Sequence, residues 1–191
     1  PGAETFTNAN LSTSSVSVDA YGSYVFRWTE VNGTCSSFDD VTVVFWEAPS
    51  ASVAGANQAL CNTSVFTLGA TVPVVGAGQW SYVSGAAVTI TNTNSATTTV
   101  TGLTAGSSVT LRWTVSNGPV CAALTSDVTL TNDVLPVADA GTGGNVCGIG
   151  VANSFVLSGS PTVGTGTWTK FSGPGAETFT NANLSTSSVS V

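Results

Sequence analysis

The sequence contains no histidine and no methionine, and only three of its 191 residues are lysine or arginine. Without histidine, the chain cannot build a Ser-His-Asp arrangement or a histidine metal site. Its three cations, Arg27, Arg112 and Lys170, cannot form the basic surface that neutralises nucleic-acid phosphates. We therefore predict that the chain is not an enzyme and does not bind nucleic acid. No catalytic residue, metal ligand or cofactor is predicted.

Charge of either sign is scarce, with 7% of residues charged and a net charge of −7. Serine, threonine, asparagine and glycine supply most of the polarity, which favours β structure over helices rich in Glu, Lys and Leu. No apolar run approaches the roughly 18 residues of a membrane span, so direct membrane insertion is not expected. No charged-then-apolar leader opens the sequence, and we expect any targeting signal to lie elsewhere.

The most informative feature that is present is a perfect internal repeat. Residues 1–18 and 174–191 both read PGAETFTNANLSTSSVSV, and the two copies begin 173 positions apart. Copies without a single substitution indicate recent duplication, which is typical of tandem arrays. In such arrays each added copy extends the structure, so the repeat favours a role in which length matters.

A shorter, diverged period lies inside the long one. Cys61 and Cys147 are 86 positions apart, and the next copy of Cys61 would follow Cys147 by 87. Prolines end strands and stiffen links, so we place the boundaries at Pro49 and Pro136. The predicted parts are the C-terminal half of one module (1–48), a complete module (49–135) and the N-terminal part of the next (136–191).

Alternating apolar and polar residues predict about seven short strands in each module. The clearest stripe is Val109, Leu111, Trp113 and Val115, with polar residues between them. Seven strands in 86–87 residues predict an all-β fold of tandem Ig-like sandwich modules stacked end to end. Four tryptophans at matching positions are expected in the cores, namely Trp28, Trp80, Trp113 and Trp168.

Five segments together carry a family resemblance: Pro136-Val-Ala-Asp-Ala-Gly141, Phe155-Val-Leu157, Gly166-Thr-Trp168, Ser172-Gly-Pro-Gly175 and Asn32-Gly-Thr-Cys35. In these the chain resembles the PKD-like and Ig-like tandem repeats of giant bacterial surface adhesins, in particular the gliding-motility type. The resemblance covers essentially the whole chain and is weaker over residues 61–133. It implies a secreted bacterial protein that is extracellular and located at the cell surface.

These observations lead to an expected function. We expect a structural repeat that forms the shaft of a long adhesin or surface filament and gives reach and mechanical strength for attachment. Its partners would be neighbouring copies of the repeat, and the bland Thr/Ser faces would also permit a lateral bundle of chains. The alternative is a carbohydrate-binding or surface-binding Ig-like module.

The four cysteines, Cys35, Cys61, Cys121 and Cys147, fit disulfides of an oxidising compartment better than a metal or redox centre. Sandwich topology places Cys61 near the turn after a first strand and Cys121 in the loop before a last strand, at opposite ends of a module. That separation exceeds the limit of about 7 Å for a disulfide unless the first strand is short. Bonds to the last-loop cysteine of the following module, ordinary bonds within a module, and free thiols all stay open.

The predicted joints carry a few more polar and aromatic residues. Asp133 and Asp139 flank Pro136, and Glu47 stands beside the other proline. Calcium prefers more converging oxygen ligands than one or two carboxylates supply, so no metal site is predicted. Trp46 does not share the alternating positions of Val43 and Phe45, the apolar residues that precede it. It could cover the linker, face a neighbouring strand or, less readily, form a platform for a sugar.

Overall fold

The fold consists of strands joined by turns and loops. The structure, a computed structural model, describes residues 2–191, and no helix occurs among them. The prediction of an all-β protein is confirmed, and the several sheets are consistent with a β-sandwich. The chain divides into two units. The first holds everything up to Gln58 together with Ser64–Leu103 and Ser108–Thr131, and the second holds Ala59–Thr63, Thr104–Ser107 and Asn132–Val191.

Two antiparallel hairpins occupy the N-terminal part of the first unit. Their strands are β1 (Glu4–Phe6), β2 (Val16–Val18), β3 (Gly22–Asn32) and β4 (Cys35–Phe45). Asn32 pairs with Cys35, so the second hairpin closes through two residues, Gly33 and Thr34. Gly33 has φ 62°, the positive value that a type II′ turn requires at its first central position.

Aromatic rings join the two hairpins on one face. Phe6 of β1 meets Phe26 of β3 edge-on at a centroid distance of 5.6 Å, and within the second hairpin Tyr24 meets Phe45 at 5.5 Å. The Gly2 amide donates to the Tyr24 hydroxyl at 3.0 Å. Tyr24 is consequently buried, whereas the β3 and β4 side chains farther along the same face are covered less.

The central body comprises β5 to β11 and has two sheets. Its strands are β5 (Gln58–Cys61), β6 (Val65–Gly69), β7 (Ala77–Gly85), β8 (Thr89–Ile90), β9 (Thr97–Thr101), β10 (Ser107–Ser116) and β11 (Leu124–Asp133). One sheet has the order β5-β11-β10-β7, and the other has the order β6-β9-β8.

A continuous hydrophobic core draws on both sheets of the central body. Trp113 and Leu130 contribute from the first sheet and Phe66 and Val100 from the second, all at most 1% exposed. The Trp80 and Trp113 rings lie 5.0 Å apart at 47°. Full burial of an aromatic or leucine side chain contributes about 1.5–3 kcal/mol, so these residues dominate the stability of the central body.

A third group of strands lies in the second unit. The strands β12 (Phe155–Val156), β13 (Thr178–Phe179) and β14 (Ser188–Ser190) form a sheet of order β12-β14-β13. Val189 of β14 pairs with both Phe155 and Phe179. This sheet repeats the central β6-β9-β8 arrangement, in which Val100 of β9 pairs with Phe66 and Ile90.

The two copies of the identical segment also fold alike. Phe6 pairs with Val16 in the first copy, and Phe179 pairs with Val189, the same two positions, in the second. The stretch around Trp168 has the same Gly-x-Trp pattern as Gly78–Trp80 of β7, but residues 157–177 contain no strand. An isolated extended segment has no ladder of hydrogen bonds to hold it, and none of the described strands pairs with it.

Candidate functional site: the joint at Pro49

The best-defined polar site is the linker that follows β4. The chain leaves β4 at Phe45 and passes through Trp46, Glu47 and Ala48 to Pro49, which is buried. Proline fixes φ near −65° and offers no N–H, so this position is both stiff and free of an unpaired donor. The linker therefore enters the central body through a rigid residue.

The residues after Pro49 are pinned to the central body by hydrogen bonds. Ser50 donates its amide to Val75 O at 3.1 Å. The Ser50 hydroxyl oxygen accepts from the amides of Val74 and Val75 at 3.1 and 2.8 Å. Farther on, the Ser52 hydroxyl donates to Trp113 O at 2.6 Å. A short hydroxyl side chain reaches backbone groups in this way, so the segment is fixed without belonging to a regular strand.

A loop between β10 and β11 holds the linker from the other side. Asn117 Nδ2 donates to Glu47 O at 2.8 Å, and Cys121 Sγ lies 3.4 Å from the same oxygen. The Trp46 ring packs on Gly118, whose φ is 67° and where a Cβ would collide with the indole. Trp46 therefore covers the linker, which is the first of the three roles that we considered for it from the sequence.

This arrangement restricts bending at the joint. Any hinge motion would pull Glu47 O away from two donors and lift the indole of Trp46 from Gly118. Each lost hydrogen bond costs about 1 kcal/mol, with more for a carbonyl left without a partner. The chemistry of the site is thus that of a mechanical connection that fixes one element against the next.

None of the four cysteines is bonded to another within the described residues 2–191. Cys121 precedes the first residue of β11, whereas Asn62, next to Cys61, donates to the last residue, Asp133. Ten residues of β11 at about 3.3 Å each separate the two thiols by roughly 30 Å, which rules out a bond within the module. Bonds across joints stay a prediction, since their partners would be copies outside residues 1–191.

Two bidentate ion pairs occupy matching positions. Arg27 Nε and Nη2 donate to Asp40 at 2.8 and 2.9 Å, and Arg112 makes the same bonds to Asp127 at 2.7 and 2.8 Å. The arginine hydrogen bonds hold the pKa of each aspartate below its usual range, against a smaller effect of desolvation. Sequence reasoning missed these pairs. Their signal was present, because each arginine directly precedes a tryptophan of the predicted core.

The four predicted core tryptophans have unequal environments. Trp80 and Trp113 are buried at 2% and 1% exposure, Trp168 is half-buried, and Trp28 is 40% exposed. Trp28 therefore departs from the expected burial, and its Nε1 donates to Glu30 at the surface. The reason is that β3 and β4 are covered by the short β1-β2 hairpin over only part of their length.

The carboxylates near the joints do not converge. Over residues 2–191, no cluster of three or more His, Cys, Asp or Glu side chains could hold a metal ion. Asp139 instead accepts a hydrogen bond from the Gly141 amide at 2.8 Å. No helix in the described part of the chain has the length and apolarity needed to cross a membrane.

Comparisons with known proteins give a weak structural likeness to a hydrolase. No protein-family model and no curated protein matches the chain. A similar solved structure is an endo-fucoidan hydrolase from glycoside hydrolase family 107, with 16% identity and a TM-score of 0.32, covering 100% of this chain and 33% of that one. This finding corrects the prediction that the chain is not an enzyme: the neighbour is a hydrolase, and so weak a likeness establishes activity neither way.

Proposed function

We propose that the chain is a repeated structural spacer, in which each half of the 173-residue period is an Ig-like sandwich and successive sandwiches follow one another along the polypeptide. The observation that carries this proposal is the repeated strand pairing. Val189, Phe155 and Phe179 meet in β12-β14-β13 as Val100, Phe66 and Ile90 meet in β6-β9-β8. Two stretches that pair in this way are two versions of one unit.

The joint at Pro49 supports a mechanical role for the spacer. Its proline, its hydrogen bonds to Glu47 O and the packing of Trp46 on Gly118 resist bending. A ten-residue strand such as β10 spans roughly 33 Å at about 3.3 Å per residue. A period of two such sandwiches would therefore add roughly 65–70 Å of reach.

The setting that we propose is the shaft of an extracellular bacterial adhesin or surface filament. The adhesin-like segments support this, and so do the low charge and the wide Ser/Thr faces, which suit a bland and soluble surface. Neighbouring copies of the repeat are then the main partners of each sandwich. The shaft contributes distance from the cell, and a different part of the protein would select the target.

Single-molecule pulling of concatenated 173-residue periods tests this function. We expect regularly spaced unfolding events, each releasing roughly 25–28 nm. The 86–87 residues of a module extend to roughly 28–31 nm at about 3.3–3.6 Å each, and the folded module already spans roughly 3 nm of that length. The events should fall into two classes that occur equally often, one class for each diverged half of the period. Events of irregular size, or unfolding without resolvable force, would contradict the proposal.

A matched pair of substitutions assigns the two classes. Leu130→Ala in every period removes a fully buried core side chain of β11 and should lower the force of one class only. Leu124→Ala on the same strand removes a side chain that is 42% exposed and should leave both classes unchanged. A large-to-small core change costs about 2–5 kcal/mol, enough to separate the classes.

A further inference from the structure

Cys121 lies at the joint that precedes the central body. Its Sγ is 3.4 Å from Glu47 O and 3.9 Å from Trp46 O, two carbonyl groups of the linker that leads to Pro49. Cys121 belongs to the same unit as this linker. Its half-buried thiol therefore lies against the last residues of the module that ends at Pro49.

Cys61 lies at the joint that follows the central body. The amide of the next residue, Asn62, donates to Asp133 O at 2.8 Å. Asp133 stands three positions before Pro136. The segment Ala59–Thr63 accordingly belongs to the second unit, together with the chain that follows this joint. The two cysteines of the central sandwich thus mark its two ends.

The two halves of the period can be aligned on the aspartates of their matching ion pairs, Asp40 and Asp127. Six positions after these aspartates stand Trp46 and Asp133, and each of the two precedes the proline of a joint by three positions. Trp46 O is therefore the counterpart of Asp133 O. The carbonyl that accepts the Asn62 amide at one joint thus has an equivalent at the other.

The cysteines correspond in the same alignment. Cys35 is the counterpart of Cys121, since each follows an Asn-Gly pair at the end of the strand that holds an ion-paired arginine. Cys147 is the counterpart of Cys61, since each is followed by a residue in the left-handed backbone region, with φ 95° and 45° respectively. Each half of the period therefore has one cysteine of either kind.

This correspondence brings two cysteines of adjoining modules to one carbonyl group. Cys121 Sγ is 3.9 Å from Trp46 O. The residue after the Cys147-type cysteine of the preceding module would donate its amide to that same oxygen, as Asn62 does at 2.8 Å at the other joint. The Cα of one cysteine then lies no more than about 9 Å from the Sγ of the other. That range includes disulfide geometry, whereas the two thiols of one module are roughly 30 Å apart.

We propose that every joint of the repeat is closed by a disulfide between the module that ends there and the module that begins there. Cys121 bonds to the copy of Cys147 in the preceding period, and Cys61 bonds to the copy of Cys35 in the following period. All four cysteines are then used, one pair at each kind of joint. This inference rests on the spacer proposal, because it requires successive periods in one polypeptide.

Each bond forms by a two-electron oxidation. Two thiols lose two protons and two electrons as the S–S bond forms, and a small-molecule disulfide such as glutathione disulfide accepts them and becomes two thiols. Cys147 is exposed and Cys121 is half-buried, so the first exchange takes place on Cys147. The Cys121 sulfur then displaces glutathione from that mixed disulfide and closes the joint.

The proposed bonds create a covalent route along the shaft that bypasses most of each sandwich. Cys35 and Cys61 are 26 positions apart, and so are Cys121 and Cys147. A route that passes from one bond to the next therefore uses 26 residues of each 173-residue period. Those residues extend to roughly 86–94 Å, little more than the roughly 65–70 Å of the folded period. Force on a crosslinked shaft is then carried by covalent bonds instead of unfolding the sandwiches.

A chain of two successive 173-residue periods tests the pairing. It carries eight cysteines, and one bond of each kind can form within it. After equilibration in a glutathione redox buffer, we expect four cysteines outside protein disulfides, counted by alkylation and intact mass, which also reports glutathione adducts. With dithiothreitol the count should be eight. Eight in the redox buffer as well, or a peptide that joins Cys61 to Cys121, would overturn the inference.

One substitution placed in either copy is the matched control. Cys121→Ser in the second copy removes a bond and releases its partner, so five cysteines should stay outside disulfides. Cys121→Ser in the first copy, which has no preceding period in this chain, should leave both bonds and three such cysteines. Because the local change is the same in both variants, any effect on folding is shared. Equal counts would contradict the proposed pairing.

Pulling of concatenated periods separates this inference from the spacer proposal. With reductant we expect the unfolding events of the spacer, and after oxidation the events of all modules between closed joints should disappear. Identical events in both conditions would overturn the disulfide inference and leave the spacer intact. Irregular events with reductant would instead contradict the spacer itself.

Discussion

At the scale of single residues, the two core tryptophans of the central body differ in hydrogen bonding. Trp80 Nε1 donates to Ser95 O at 3.1 Å, whereas Trp113 Nε1 is buried without a hydrogen-bond partner among residues 2–191. Trp113 therefore contributes to the stability of the fold mainly through ring packing, whereas Trp80 also donates a hydrogen bond to a carbonyl oxygen. A buried N–H without a partner already carries a desolvation cost in the folded state.

This difference predicts unequal effects of replacing each indole by phenyl. Trp80→Phe should lower the free energy of unfolding by about 1 kcal/mol more than Trp113→Phe, because the first leaves Ser95 O without its donor and the second removes an unpaired N–H. Urea unfolding of the two variants measures the difference. A larger loss for Trp113→Phe would show that packing outweighs hydrogen bonding at this pair.

The arginine–aspartate pairs predict a pH dependence. Hydrogen bonds from Arg112 lower the pKa of Asp127 in the folded state. The stabilisation is therefore fully present above the unfolded pKa of about 3.9 and is lost as the pH falls through the lower folded value. Because both side chains are largely exposed, the effect is small.

Unfolding measured between neutral pH and about pH 2 checks this expectation. Asp127→Asn should have a lower free energy of unfolding than the wild type at neutral pH. The difference between the two free energies should close below about pH 4. Arg27 and Asp40 provide an internal comparison, since Asp40→Asn should behave in the same manner. A gap that is constant with pH would mean that the ion pair does not stabilise the fold.

At the scale of elements, two glycines with similar backbone angles have different surroundings. Gly118 has φ 67° and lies under the Trp46 ring, and Gly33 has φ 62° with nothing within 4 Å of an added Cβ. A left-handed conformation costs a non-glycine residue about 1–2 kcal/mol, so alanine strains both turns similarly. Only the change at Gly118 also displaces an aromatic ring.

We therefore expect Gly118→Ala to loosen the joint and Gly33→Ala to leave it unchanged. Loss of the Trp46 contact should shift the indole N–H resonance of Trp46 and increase the fast motion of residues 46–49 in NMR relaxation. Gly33→Ala should lose comparable stability without either change. If Trp46 keeps its resonance in Gly118→Ala, the ring does not hold the joint.

Several elements could be predicted from the sequence because their causes are local. Period-two alternation identified β10, and Val109, Leu111, Trp113 and Val115 are all buried in it. Whether a segment forms a strand also depends on a neighbouring strand to pair with, and the alternation of apolar and polar residues does not reveal that neighbour. The segment around Trp168 has the residues of β7 but forms no strand, because none of the described strands pairs with it.

The joint illustrates the same limit. Pro49 and the out-of-phase position of Trp46 indicated a linker. The hydrogen bond from Asn117 to Glu47 O could not be predicted, because it joins residues 70 positions apart. The distance between Cys61 and Cys121 agrees with the topology argument from the sequence, because the length of β11 separates the two cysteines.

At the scale of the whole molecule, repetition connects these details. Two identical 18-residue segments fold with the same register, and two diverged sheets share one pairing pattern. A protein that adds units of this kind gains length in proportion to their number, because each unit contacts mainly its neighbours. In the spacer that we propose, stiff joints such as that at Pro49 would convert this added chain into reach.

The end-to-end length of concatenated 173-residue periods, measured by electron microscopy, tests this central claim most directly. We expect straight particles whose length grows linearly with the number of periods, by roughly 65–70 Å for each. Lengths that grow only as the square root of the number of periods, or particles that collapse into compact bodies, would contradict the account.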